Sequence, residues 1–174
     1  MTTLAGNALL SMCLTVPRVG LWVLDAQTDN DTLLTGDVDF VVAGRTWRGT
    51  VVRGGAELGR WSGRVVGAGA LAGLLGPLPF ASATLAEVLT ETAREAGVTL
   101  ADGLGDLSAT VPRWHRIAAP ASHTVADVAR AAGYVWRALA AGTLGLGAET
   151  WAPLALASGV DVIGHDPRVG RFPH

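Results

Sequence analysis

The sequence contains no lysine, and all thirteen of its basic residues are arginine. Arginine has GC-rich codons, so this reads as genome base composition and says little about partners. The arginines are dispersed and the net charge is −2, which argues against the clustered basic face of a nucleic-acid-binding protein. The single cysteine, Cys13, excludes an internal disulfide framework and a zinc-cysteine cluster. It is expected as a buried small apolar residue. Leu10-Ser11-Met12-Cys13 faintly resembles a lipoprotein cleavage box, but no basic residue precedes it and Met12 stands where a small residue belongs. No apolar run of about 18 residues free of charges and breakers occurs, so no membrane insertion is expected. Only 16% of residues are charged while 49% are hydrophobic, enough to bury a core and to exclude disorder.

What the chain does have is glycine and tryptophan: 23 glycines and six tryptophans, interleaved with valine and threonine. That mixture suggests strands joined by tight turns. Strands are expected over residues 8–16, ending at Pro17, and over residues 19–25, ending at the polar cluster of residues 27–31. Residues 38–42 and 46–52, linked at Ala43-Gly44, read as a hairpin. Residues 60–66 make a further strand after the loose connection Gly54-Gly55-Ala56-Glu57-Leu58-Gly59. With no helix between them, these about five strands read as an antiparallel meander whose edges must be closed, paired or covered.

Gly76-Pro77-Leu78-Pro79 marks a link between substructures. Beyond it, Thr84 and Glu87 form a capping box, Leu85, Val88, Leu89 and Ala96 share a face, and Gly97 ends the helix. Val98-Thr99-Leu100 reads as a short strand. A second copy of this unit is expected from Thr124, with Asp127 in its first turn and Gly133 at its end. Tyr134 to Leu139 then runs as a strand, turns at Ala140-Ala141-Gly142, and returns over residues 143–149 to Trp151. Thr84-x-x-Glu87 matches Thr124-x-x-Asp127, and Arg94-Glu95-Ala96-Gly97 matches Arg130-Ala131-Ala132-Gly133, a weak internal repeat. Residues 111–116 are expected as an extended, partly exposed segment, and Gly159-Val160-Asp161-Val162-Ile163-Gly164 as one more strand before a loose tail. The fold class is therefore α+β: an antiparallel β domain, meander or tube-like barrel, over residues 1–76, an α+β subdomain over 77–152, and a terminal strand and tail over 153–174.

Candidate chemistry is sparse. Gly67-Ala68-Gly69, with Ala72 beyond, resembles a dinucleotide fingerprint and carries the alternative reading of a small nucleotide- or ligand-binding domain. Its context argues against this, because Gly73, Gly76 and Pro77 leave too few residues for the helix whose N-terminus would hold a phosphate. His115, His123, His165 and His174 lack metal-ligand spacing. Ser122-His123 is adjacent in sequence and outside any nucleophile elbow. Glu87, Glu91 and Glu95 recur every four residues and line one solvated helix face. The tryptophans are core anchors, with Trp61 or Trp114 available for a subunit contact. No catalytic residue, cofactor or metal is expected.

In their order along the chain, several segments resemble the hub proteins of phage tails and related contractile injection devices. They are Trp47-Arg48-Gly49-Thr50-Val51-Val52-Arg53-Gly54-Gly55, Gly59-Arg60, Arg64-Val65-Val66-Gly67-Ala68, Val88-Leu89, Ala96-Gly97-Val98, Trp114-His115-Arg116, the helix at Thr124, Gly133-Tyr134-Val135-Trp136-Arg137, Gly142-Thr143-Leu144 and Glu149-Thr150-Trp151. The resemblance covers about residues 35–165. It implies a non-enzymatic ring protein of the virion tail, built from tube-like barrels with an α+β domain inserted or packed outside. The ring is usually threefold, so a homo-oligomer with a trimer favoured is implied. Its partners would be the tail tube, the spike and other baseplate proteins, and DNA could pass the lumen without sequence-specific binding. Longer members continue beyond His165-Asp166-Pro167-Arg168, so the barrel is expected to be incomplete here, with an edge completed by a neighbouring chain.

Overall fold

The computed structural model describes residues 2–149 and the short strand Arg171–Phe172. The expected strand at 159–164, together with Trp151, His165 and His174, lies outside the described residues. The chain divides into two compact units. Among the described residues, the first comprises 2–69, 138–142 and 171–172, and the second 70–137 and 143–149. The sequence change at Gly76 therefore falls inside the second unit, where Pro79 sits in a strand.

The first unit holds β1 (Thr3–Leu4), β2 (Asn7–Thr15), β3 (Val23–Thr28), β4 (Gly36–Val42), β5 (Arg45–Glu57) and β6 (Arg60–Val66). They pair in the order β1-β4-β5-β6-β3-β2, and β1 also pairs with β2, which closes an antiparallel barrel. Two expectations are corrected. The strands are not a simple meander, because β3 lies against β6 (Leu24 opposite Val65) instead of β4. Nor is the barrel incomplete: β1, a two-residue strand too short to show in a hydrophobic pattern, joins the ends of the sheet. Arg171–Phe172 adds alongside β2.

Alternation fills the barrel. Leu4, Trp22, Leu24, Phe40, Trp61 and Val65 are fully buried, and burial alternates strictly along β3. β3 runs later than the apolar pattern implies, through Thr28. That side chain is buried but satisfied, its Oγ1 donating to the Asn30 carbonyl at 3.0 Å. β5 likewise continues through the stretch read as a loose connection, with Gly54 opposite Gly63 and Ala56 opposite Trp61. Trp61 explains these glycines: a Cβ on Gly54 would lie 2.6 Å from its ring and one on Gly63 2.3 Å. Leu58 and Gly59, both at positive φ, make the tight turn to β6.

In the second unit, β7 (Leu74–Leu75) pairs with β10 (Ala119–Pro120), and β8 (Leu78–Thr84) with β9 (Thr110–Arg116). Two helices, α1 (Leu85–Ala96) and α2 (Ala121–Ala132), pack on each other, and β11 (Val135–Ala138) pairs with β12 (Leu144–Gly147). Val98-Thr99-Leu100 forms only a single parallel bridge, Leu100 to Leu144.

The helical repeat is real but its register differs from the expected one. Leu85, Val88, Leu89, Thr92 and Ala93 are buried in α1, and Ala121, Thr124, Val125, Val128 and Ala129 in α2. One constant offset superimposes both sets and also carries Gly97 onto Gly133. Thr124 thus corresponds to Val88, not to Thr84, and is a buried first-turn residue, not the cap. α2 begins at Ala121 after Pro120, which makes no side-chain cap bond. Its first amide donates instead to the Gly73 carbonyl at 3.0 Å. α1 keeps the full capping box: the Glu87 amide donates to Thr84 Oγ1 at 3.2 Å, and the Thr84 amide donates to Glu87 Oε2 at 2.6 Å. Both helices end in a left-handed glycine with matching bonds, Val98 N–H to Ala93 O and Tyr134 N–H to Ala129 O. Thr84→Ala should therefore cost about 1 kcal/mol in a denaturant titration, and a change below about 0.3 kcal/mol would show that the box contributes nothing.

Candidate functional site

The glycine loop after β6 is built around Trp22. The Gly67 amide donates to the Trp22 carbonyl at 3.0 Å, and a Cβ on Gly67 would fall 2.1 Å from Trp22 Nε1. The indole is fixed further by its own bond, Nε1 donating to the Leu139 carbonyl at 3.2 Å. It meets Phe40 and Trp47 edge-on, each at 5.5 Å between centroids, while Phe40 and Trp47 stack at 5.7 Å. Gly69 opens only a four-residue 3-10 turn, Gly69–Ala72. Among the described residues no α-helix opens at this loop, and the close approach that Gly67 permits is to a tryptophan ring of the barrel core.

The other sequence candidates are dispersed. His115 and His123 are exposed, on β9 and α2. Among the described residues, no three of His, Cys, Asp and Glu gather as a metal site. Cys13 is half-exposed on β2, not buried. Trp61 belongs wholly to the core, and Trp114 is partly exposed on β9.

The three glutamates of α1 differ from a simple solvated face. Glu87 serves the cap, and the Thr84 amide followed by its hydroxyl holds its carboxyl below the ordinary value of 4.5. Glu91 accepts from Arg94 Nε at 2.8 Å, and that bond lowers its pKa in the same direction. Glu95 pairs at 2.5 Å with Arg116, a guanidinium whose side chain is only 3% exposed. Arg116 also donates from Nε to the Gly76 carbonyl at 3.0 Å.

The outer barrel wall carries a polar ladder. Arg64 grips Asp25 through Nε and Nη2, both at 2.7 Å, and this holds the Asp25 carboxyl below its ordinary value of 3.8. Gln27 donates to Ser62 at 3.1 Å, and Arg53 stands 4.0 Å from Asp25. These are cross-strand pairs between β3, β6 and β5, and they secure the wall without forming a nucleophile-base couple. Beyond them, β5 outruns its neighbour β4, whose pairing ends at Gly36 opposite Val51. Residues 53–57 are exposed and, among the described residues, paired on the β6 side only. Sequence reasoning missed this projecting strand because its glycines read as a loop.

No family model matches the sequence, and no curated protein matches it. Solved structures do match the fold. The 43 kDa tail protein of prophage MuSo2 from Shewanella oneidensis aligns over 90% of this chain with a TM-score of 0.67 at 12% identity. An E. coli component of the type VI secretion system, described as structurally similar to T4 bacteriophage tail proteins gp27 and gp5, aligns over 86% with a TM-score of 0.68 at 12% identity. A tail protein from Neisseria meningitidis aligns over 87% with a TM-score of 0.64 at 16% identity. The chain spans about half the length of these proteins, 57%, 49% and 52% respectively. The likeness establishes a shared fold: an antiparallel barrel with an α+β unit.

Proposed function

We propose that this chain is a non-enzymatic structural component of a phage tail or related injection device, a ring protein of the hub where tail tube meets spike. The observation that carries the reading is the extent of the shared fold: the same closed barrel and α+β unit align over 86–90% of the chain with two tail proteins and a secretion-system component. Fold alone does not fix function. The side chains add support, because the glycine loop is occupied by Trp22 packing and Asp25 and Arg64 on the barrel wall neutralise each other in place. In this reading the partners are further copies of the chain in a ring, threefold by the resemblance, together with the tube, the spike and other baseplate proteins. DNA would cross the lumen without sequence-specific contacts. The location would be the virion tail or its secretion-system counterpart. No helix among the described residues is long and apolar enough to cross a membrane.

The test is the composition of purified particles from the source of the sequence. Quantitative mass spectrometry should find several copies of the chain per tail, and deletion of its gene should yield tails lacking the spike. Purified, functional tails without the chain would refute the reading.

A further inference from the structure

β5 has thirteen residues: Arg45 to Val51 pair with β4 and Thr50 to Glu57 with β6, so only Thr50 and Val51 lie between two strands among the described residues. Residues 53–57 have β6 on one side, from Arg53 opposite Arg64 to Glu57 opposite Arg60. Among the described residues no strand pairs with the other side, which is an open edge of backbone donors and acceptors, the template on which another strand adds. Proteins usually blunt such edges with bulky charge, proline or a bulge. Here a bulge lies only at the start, between Val51 and Arg53. The stretch Gly54-Gly55-Ala56 that follows has no side chain able to hold a second strand away.

The sequence of this edge is complementary to itself. Because the β5–β6 turn has two residues, Glu57 and Arg60 form the bonded pair beside it, and odd-numbered residues of β5 bond toward β6. The backbone groups of Gly54 and Ala56 therefore point outward. In an antiparallel pair of two copies centred on Gly55, Gly54 of each bonds Ala56 of the other. Arg53 of each then stands directly opposite Glu57 of the other, at the closer, non-bonded spacing. Shifting the pair by one bonded step in either direction loses this reciprocity and sets a charge against glycine. Arg53 is available for it: its side chain is 69% exposed and only 4.0 Å from Asp25, whose main partner is Arg64. Trp61 does not interfere, since it packs on Gly54 and Gly63. A Cβ on Gly55, whose neighbours along the strand point to that other face, meets nothing within 4 Å.

We propose that residues 53–57 are a self-docking edge, through which two copies of this chain pair antiparallel about Gly55 with reciprocal Arg53–Glu57 contacts. The contact is twofold and isologous. It is independent of the tail reading, and it joins two chains whether or not each also stands in a ring.

The test uses the full chain with Cys13 replaced by serine. Gly55→Cys should link to its own copy under mild oxidation, because residue 55 faces residue 55 across the pair. Leu58→Cys should link slowly although Leu58 is 93% exposed, since the two positions lie about 20 Å apart in this register. Adding Arg53→Glu to the Gly55→Cys chain should slow linking roughly tenfold by opposing two glutamates. Adding Glu57→Arg as well should restore it. Circular dichroism confirms that each variant is folded, and the double exchange keeps the test valid should one variant misfold. Equal linking at positions 55 and 58, or failure of the double exchange to recover what Arg53→Glu loses, would overturn the proposal.

Discussion

Gly67→Ala is expected to destabilise the chain by about 3 kcal/mol, the upper part of the range for forcing a methyl into a filled core. The added Cβ would fall 2.1 Å from Trp22 Nε1 and 2.2 Å from Cε2. The ring has little room to retreat, because it is bonded to the Leu139 carbonyl and wedged against Phe40 and Trp47. Gly55→Ala supplies the contrast: its Cβ would meet nothing within 4 Å, so it should change stability by less than about 0.5 kcal/mol. Denaturant midpoints of both variants settle the point. The same pair separates the two readings of the loop. A nucleotide site would lose ligand binding in Gly67→Ala with little loss of stability, whereas a core contact loses stability first. A Gly67→Ala variant within about 1 kcal/mol of the parent would remove Trp22 packing as the reason for this glycine.

Glu95→Ala is expected to cost a similar amount, about 3 kcal/mol, although Glu95 itself is partly exposed. The loss comes from its partner. Arg116 is 3% exposed at its side chain and reaches Glu95 from β9 at 2.5 Å. Without the carboxylate, a guanidinium stays buried with only the Gly76 carbonyl to receive it. Replacing both partners, Glu95→Ala with Arg116→Met, should recover most of the loss, because the buried charge goes with its counter-charge. If the double variant is as unstable as the sum of the single ones, the two residues act separately and the pair is not a unit.

These two sites show where the sequence was readable. Thr84, Glu87 and Gly97 announce α1 because capping is local chemistry, complete within a few residues. Residues 60–66 announce β6 by alternation. Long-range partners leave no such mark. Nothing in Glu95 or Arg116 alone says that they meet, and the glutamates of α1 look alike until β9 places a buried arginine beside one of them. Gly67 carries a phosphate-loop pattern, but the ring that requires it lies far back at Trp22. Closure of the barrel depends on Thr3 and Leu4, a strand too short for any periodicity. The start of α2 is harder to read, because Thr124 is cap-like and invites a match to Thr84. One constant offset, fixed by the two C-terminal glycines, would have placed Thr124 on the buried face. The self-complementary edge of β5 is hidden for a related reason: Gly54 is there to seat Trp61, and the Gly54-Gly55 pair reads as a loop in sequence.

Cryo-electron microscopy of the intact tail tests the proposed role most directly. Density for the six-strand barrel should appear at the junction of tube and spike, in several copies arranged about the tail axis. A single copy away from the axis, or density for this chain anywhere other than that junction, would contradict it.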